Sequence, residues 1–192
     1  MSHLFAYLSR MKFIQRWGLM HNTYPENIQE HSLRVAMVAH ALALIRNRMF
    51  GGRVDPQRAA LLGLFHDASE VLTGDLPAPV KYFNPEISHA YKALEASAAR
   101  KLLDMVPAEL RPDYEPLFFA SEADHEHREL LHAADKLCAY LKCLEESAAG
   151  NHEFSKAEKT LREGVERLQL PEVRYFLTTF APSFHLTLDE LE

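Results

Sequence analysis

The chain has 192 residues, 47% of them hydrophobic and 25% charged, with a formal net charge of −6. This is the composition of a folded globular chain with enough length for a sizeable core, and it excludes a disordered segment. The acidic balance and the absence of any lysine or arginine run exclude a protein whose main partner is a nucleic-acid backbone, while a small phosphorylated ligand, which needs only local positive charge or a metal, stays open.

In chain order, Leu4, Leu8, Met11 and Ile14 fall at helical spacing and predict a helix over residues 3 to 16. Arg16-Trp17-Gly18 breaks the pattern, and "HNTYPEN" reads as a loop. Residues 28 to 48 predict a long helix with His31, Val35, Val38, Leu42 and Ile45 on one stripe. Asp55-Pro56 reads as an N-cap and first-turn proline, opening an apolar helix over 56 to 67 that is expected to be buried. "LTGDLPAPVKYFNP" is a loop around one short turn, followed by a helix over 85 to 105 and an irregular or short helical stretch, "VPAELRPDYEP". Helices are predicted over 122 to 149, capped by Gly150-Asn151, then over 153 to 168 and over Pro171 to Thr179. No segment alternates long enough to predict a strand, so the expected fold is all-α, one multi-helix domain over residues 1–192. Cys138 and Cys143, five apart in one helix, point to different faces and suggest packed thiols in a reducing cytosol. The N-terminus lacks the apolar run of a signal peptide and no stretch has the length of a membrane span, so a cytoplasmic location without membrane contact is expected.

"GLFHDASEVLTGDLP", residues 63 to 77, carries the chemistry. His66 and Asp67 end an apolar helix, and burying both costs several kcal/mol unless each finds a partner. A divalent cation accepts an imidazole nitrogen and a carboxylate oxygen at similar distances, and a helix end lets adjacent residues converge on it. Two further ligands are needed. His31 heads the inward stripe of its helix, and Asp135 lies one turn after Leu131 and one before Cys138, where a carboxylate facing the core calls for a partner. Nitrogen and oxygen donors without thiolate suit manganese, cobalt, iron, nickel or zinc.

The ordered set H…HD…D resembles the metal-dependent phosphohydrolases of the HD-domain superfamily. "FAYLSRMKFIQRW", "EHSLRVAMVAHAL", "HDASEVLTGDLPAPVKYF", "ADKLCAYLKCLEE" and "PSFHLTLDE" are similar to blocks of the bacterial HD-domain 5′-deoxynucleotidases over nearly the whole chain. The resemblance implies that His31, His66, Asp67 and Asp135 hold one divalent transition metal such as cobalt or manganese. It implies that Glu70 manages a proton, Arg16 orients the phosphate, and Trp17, Asp75, Leu76, Pro77 and Ala78 meet the sugar, Ala78 through its backbone. It further implies a cytosolic homodimer that hydrolyses 2′-deoxyribonucleoside 5′-monophosphates to deoxynucleoside and phosphate, by attack of metal-activated water.

These roles have physical sense of their own. The planar fork of Arg16 pairs two phosphate oxygens. Glu70, three residues after Asp67, stays on the metal side while remaining free for proton transfer. The ring of Trp17 against the sugar would penalise an added 2′-hydroxyl by roughly 1–3 kcal/mol. His89, His125, His127 and His132 fall between the HD pair and Asp135 but in no block typical of two-metal relatives, so one metal is expected, with His125 and His127 on a charged solvated face or at a helix start. The rival readings are an HD-type hydrolase of cyclic nucleotides, triphosphates or alarmones, and a nucleotide-binding module without turnover.

Overall fold

The computed structural model describes residues 1–191; Glu192, the last residue of the expected domain, lies outside them. The regular elements among the described residues are helices: α1 (Leu4–Leu8), α2 (Ile28–Met49), α3 (Pro56–Phe65), α4 (Glu70–Thr73), α5 (Ala78–Lys81), α6 (Pro85–Asp104), α7 (Arg111–Phe118), α8 (His125–Ala148), α9 (Ser155–Glu166) and α10 (Pro171–Thr179). The all-α expectation holds.

The first predicted helix is corrected. It stops at Leu8, passes through a 3-10 turn at Met11–Phe13 and is extended at Ile14. The backbone there pairs across the chain: the Arg16 N–H donates to the Glu26 carbonyl at 2.9 Å, and the Ile28 N–H to the Ile14 carbonyl at 3.0 Å. This long-range pairing overrides a helical apolar pattern, which Leu4 and Met11 still satisfy by being buried.

α2 starts at a capping box in which Asn27 accepts from Gln29 and Glu30 while Glu30 reaches back. Its predicted stripe is buried throughout. α3 starts as predicted, the Asp55 carboxylate accepting the Gln57 N–H at 2.9 Å. α3 is not the fully buried helix its apolar run suggested. Ala59, Leu62 and Gly63 face inward, while Leu61 and Leu64 are exposed. The inward face lies so close to α2 that a Cβ on Gly63 would stand 2.7 Å from the Ala36 Cα.

α8 packs on both helices and is covered by α9 and the 3-10 segment Ala181–His185, so every residue from Leu137 to Leu144 is buried. Cys138 and Cys143 are therefore both enclosed, as free thiols. Gly150, with φ +82°, follows the end of α8 in the left-handed conformation that suits glycine. A second apolar cluster of Leu4, Ala68, Leu102, Leu103 and Val106 packs α1 and α6 beneath the turn after α3. That turn is thereby held from below while its polar side chains face α2 and α8. Among the described residues no helix is long and apolar enough to cross a membrane.

Candidate metal centre and substrate cleft

His31, one turn into α2, is fully buried, with Nε2 3.0 Å from Asp135 Oδ1 and 3.6 Å from Asp67 Oδ2. His66 is the C-cap of α3, and its Nδ1–H donates to the Gly63 carbonyl at 2.8 Å. In the neutral ring that bond leaves Nε2 as the lone-pair nitrogen, and it sets the ring's orientation. Nε2 lies 3.0 Å from Asp67 Oδ2. On a continuing helix His66 and Asp67 would diverge by about 100°. Here the Ala68 N–H bonds Phe65 and the Glu70 N–H bonds Asp67, tight turns that swing both side chains to one side. One donor atom from each of His31, His66 and Asp67 lies within 4.8 Å of the others. Asp135 reaches His31 from α8, but the expectation that it faces the core is corrected. Its side chain is 42% exposed.

The donor set fits a divalent cation. His66 Nε2 is buried with no hydrogen-bond partner, its contact with Asp67 lacking the alignment of one. Such an orphan costs about 1–3 kcal/mol, which a cation on the lone pair would remove. The potential is also right. Burial alone would lower the His66 imidazole, yet Asp67 and Asp135 push it up to about 9. Burial alone would raise Asp67 and Asp135, yet the facing imidazoles hold both below the usual carboxylate range. A place that draws a proton this strongly draws a metal ion, and imidazole with carboxylate suits manganese, cobalt or zinc.

Glu70 opens α4 beside this set and is 6% exposed. Burial, then the Asp67 and Asp75 carboxylates, push it up to about 9 against Arg16 and Lys81, so it is a neutral acid at pH 7. A cleft of about 270 Å³ opens here, lined by His66, Asp67, Glu70, Glu95, Phe118 and others. A larger hollow of about 520 Å³ between α8, α9 and α10 is lined by none of the predicted site residues.

Arg16 reaches the metal set from the N-terminal segment, its Nη1 3.8 Å from Asp67 Oδ2. Burial alone would lower its pKa, but Glu26, Asp135, Asp67 and Asp75 raise it, so its charge is secure. Trp17 is half-buried, its ring edge-on to Phe154 with centroids 5.3 Å apart. Its backbone has φ +58°, an uncommon state for a large side chain. Asp75 is half-buried after Gly74, whose carbonyl accepts the Tyr91 hydroxyl at 2.8 Å. Burial raises Asp75 while Arg16 opposes it. Leu76 and Pro77 are half-buried and Ala78 is exposed at the start of α5. Among the described residues none of these three shares a hydrogen bond or ion pair with the metal set.

The family model for YfbR-like 5′-deoxynucleotidases matches residues 3–184. The chain belongs to the YfbR-like 5′-deoxynucleotidase family. A 5′-deoxynucleotidase of this kind from Vibrio atlanticus is 57% identical over 190 residues, covering 99% of this chain and 98% of its own. The 5′-deoxynucleotidase YfbR of Escherichia coli is 58% identical, covering 99% of this chain and 96% of its own. Among solved structures, an HD-domain phosphohydrolase from Listeria innocua is similar at a TM-score of 0.80 and 24% identity, covering 94% of this chain and 87% of that one. The cyanophage S-2L HD phosphohydrolase DatZ, bound to dA and one catalytic Zn2+ ion, is similar at 0.67 and 23%, covering 93% and 96%. At those identities the two structures speak for the HD fold.

For this member of the YfbR-like family, sequence reasoning missed two features. Glu26 accepts from both Arg16 Nε and Trp17 Nε1, at 3.0 and 3.3 Å. The buried Lys142–Glu146 pair anchors the loop beyond Trp17. A lone carboxylate in a loop has no periodicity to betray it; Lys142, a charge four residues before Glu146 inside an apolar helix, was a signal that could have been read. The expected solvated face of His127 is also corrected: its ring is largely buried near Asp124, because Arg58 draws Asp124 into the junction of α3, α7 and α8.

Proposed function

We propose that the chain hydrolyses 2′-deoxyribonucleoside 5′-monophosphates to deoxynucleoside and phosphate. The observation that carries this reading is the convergence of His31, His66 and Asp67 beside a buried Glu70 whose pKa burial pushes up, in a chain of the YfbR-like family. A single divalent transition metal held by His31, His66, Asp67 and Asp135 would polarise the phosphate and supply a water nucleophile near neutral pH.

The protein's own groups do the rest. Arg16 presents its terminal nitrogens to the phosphate, because its Nε is already taken by Glu26. Water attacks phosphorus, the bond from phosphorus to the 5′-oxygen breaks, Glu70 gives its proton to that oxygen, and the proton lost by the attacking water restores Glu70. Asp75 accepts from a sugar hydroxyl. Trp17, with Leu76, Pro77 and Ala78, bounds the sugar so that a 2′-hydroxyl loses its water without a replacement partner. The same reading takes residues 1–192 as one domain that works as a cytoplasmic homodimer on a small-molecule substrate, without nucleic acid or membrane.

The test is a substrate panel. Protein stripped of metal and reloaded with manganese, cobalt or zinc is offered deoxy- and ribonucleoside 5′-monophosphates, 3′-monophosphates, triphosphates and cyclic nucleotides. Release of phosphate from the deoxynucleoside 5′-monophosphates is expected. Turnover of triphosphates or cyclic nucleotides alone would sink the reading, and binding without turnover would favour the non-catalytic module. Sedimentation velocity decides the dimer.

A further inference from the structure

Glu26 touches both residues assigned to phosphate and sugar. A single carboxylate oxygen, Oε2, lies 3.0 Å from Arg16 Nε and 3.3 Å from Trp17 Nε1. The residue is 7% exposed, so these charge-assisted bonds are sheltered from water. Its backbone carbonyl also receives the Arg16 N–H at 2.9 Å, and the next residue, Asn27, pairs with Gln15 in the antiparallel bridge. Glu26 therefore cannot shift without moving the strand-like segment it binds.

Two consequences follow from which atoms are occupied. With its Nε edge held, Arg16 has its terminal nitrogens left, and Nη1 stands 3.8 Å from Asp67 Oδ2 at the metal set. Trp17 is fixed at two ends, its N–H on Glu26 and its ring edge-on to Phe154. Those contacts hold the indole plane in spite of the unfavourable backbone at φ +58°.

We propose that Glu26 is a positioning residue that sets the phosphate grip of Arg16 and the sugar filter of Trp17 together, so that turnover and the choice of deoxyribose over ribose are under one carboxylate. The inference rests on the substrate roles given above to Arg16 and Trp17.

The test compares Glu26→Ala, Glu26→Gln, Arg16→Ala, Trp17→Phe, and Glu26→Ala in the Arg16→Ala/Trp17→Phe background. The readouts are kcat and KM for dAMP and AMP, bound metal, melting temperature and tryptophan fluorescence. Glu26→Ala should lower kcat/KM for dAMP by about tenfold or more and lower the dAMP-to-AMP ratio, with bound metal unchanged. Glu26→Gln keeps an oxygen acceptor but loses the charge, so it should fall between wild type and Glu26→Ala. In the Arg16→Ala/Trp17→Phe background the same Glu26→Ala change should cost less than about twofold, since both partners are already gone.

Trp17 is the one tryptophan in the chain, so its fluorescence reads the clamp without any substrate. Its anisotropy should fall and its acrylamide quenching rise in Glu26→Ala, and less so in Glu26→Gln. An equal loss of kcat/KM in both backgrounds would make Glu26 merely structural and overturn the proposal. So would unchanged fluorescence and turnover in the Glu26 variants while Arg16→Ala and Trp17→Phe are impaired. If instead Arg16→Ala and Trp17→Phe leave turnover and the sugar ratio untouched, the assigned roles fail, and the inference with them. Should Glu26→Ala not fold, the Glu26→Gln position between wild type and the Arg16 and Trp17 variants decides the matter.

Discussion

A single hydrogen bond determines what His66 can do. Its Nδ1–H is spent on the Gly63 carbonyl, so Nε2 is the nitrogen left to face Asp67. Removing one neighbour of such a nitrogen should abolish the site rather than weaken it. Asp67→Ala is expected to lose both bound metal, measured by elemental analysis after desalting, and phosphate release. Glu70 differs, because its raised pKa makes it a proton donor. Glu70→Gln preserves its shape and removes the acid. We expect bound metal to stay at the wild-type level while kcat falls by about 10²–10⁴. Loss of metal in that variant would make Glu70 a ligand instead.

At the scale of elements, the distance between α2 and α3 fixes the distance between His31 and His66. That distance depends on Gly63, where a Cβ would meet the Ala36 backbone. Gly63→Ala should force the helices apart, lower stability by about 1–3 kcal/mol in urea unfolding, and reduce metal affinity more than a remote substitution of equal cost. α8 carries a second device. The Glu146 carboxylate accepts the N–H groups of Thr23 and Tyr24 at 2.9 and 3.0 Å, and Lys142 donates to both Glu146 and the Tyr24 carbonyl. The loop after Trp17 is thereby tied to the helix that bears Asp135. Glu146→Ala would strand a buried ammonium and cost about 3–5 kcal/mol, whereas Lys142→Met with Glu146→Leu should cost less than either single change. Denaturant midpoints of the three variants measure this directly.

For the molecule as a whole, the same pair sets an acid limit. Burial alone would raise Glu146, but Lys142, the Tyr24 N–H, Asn151 and the Thr23 N–H bring it down to about 2. A folded pKa below the unfolded value contributes stability above about pH 4.5, lost as the pH falls toward 2. Thermal unfolding across that window should show the loss, and Glu146→Gln should flatten it. Metal acts in the opposite sense. A cation bound to the folded chain alone should stabilise it by about 2.7 kcal/mol at a hundredfold excess over Kd, so that the melting temperature rises with its concentration, and chelation should reverse it.

The helices, their caps and the order His31, His66-Asp67, Asp135 were legible in the sequence, because each is written in local terms. Stripes of buried residues mark α2 and α8, Asp55-Pro56 starts α3, and the blocks around the H…HD…D set carried the family resemblance. Three things were not legible, and they share a cause. The helix expected to reach residue 16 breaks because its backbone pairs with Glu26 and Ile28, ten or more positions away. Asp135 lies on the inward period of α8 and reaches the buried His31, yet its side chain stays 42% exposed. Glu26 joins Arg16 to Trp17 although nothing in its own neighbourhood marks it. Period and propensity act over one or two turns of chain, so the sequence by itself determined the elements and the identity of the donor atoms. Which faces pack together, and so where those atoms meet and what holds them there, depends on contacts between distant residues, and only the tertiary structure decided that.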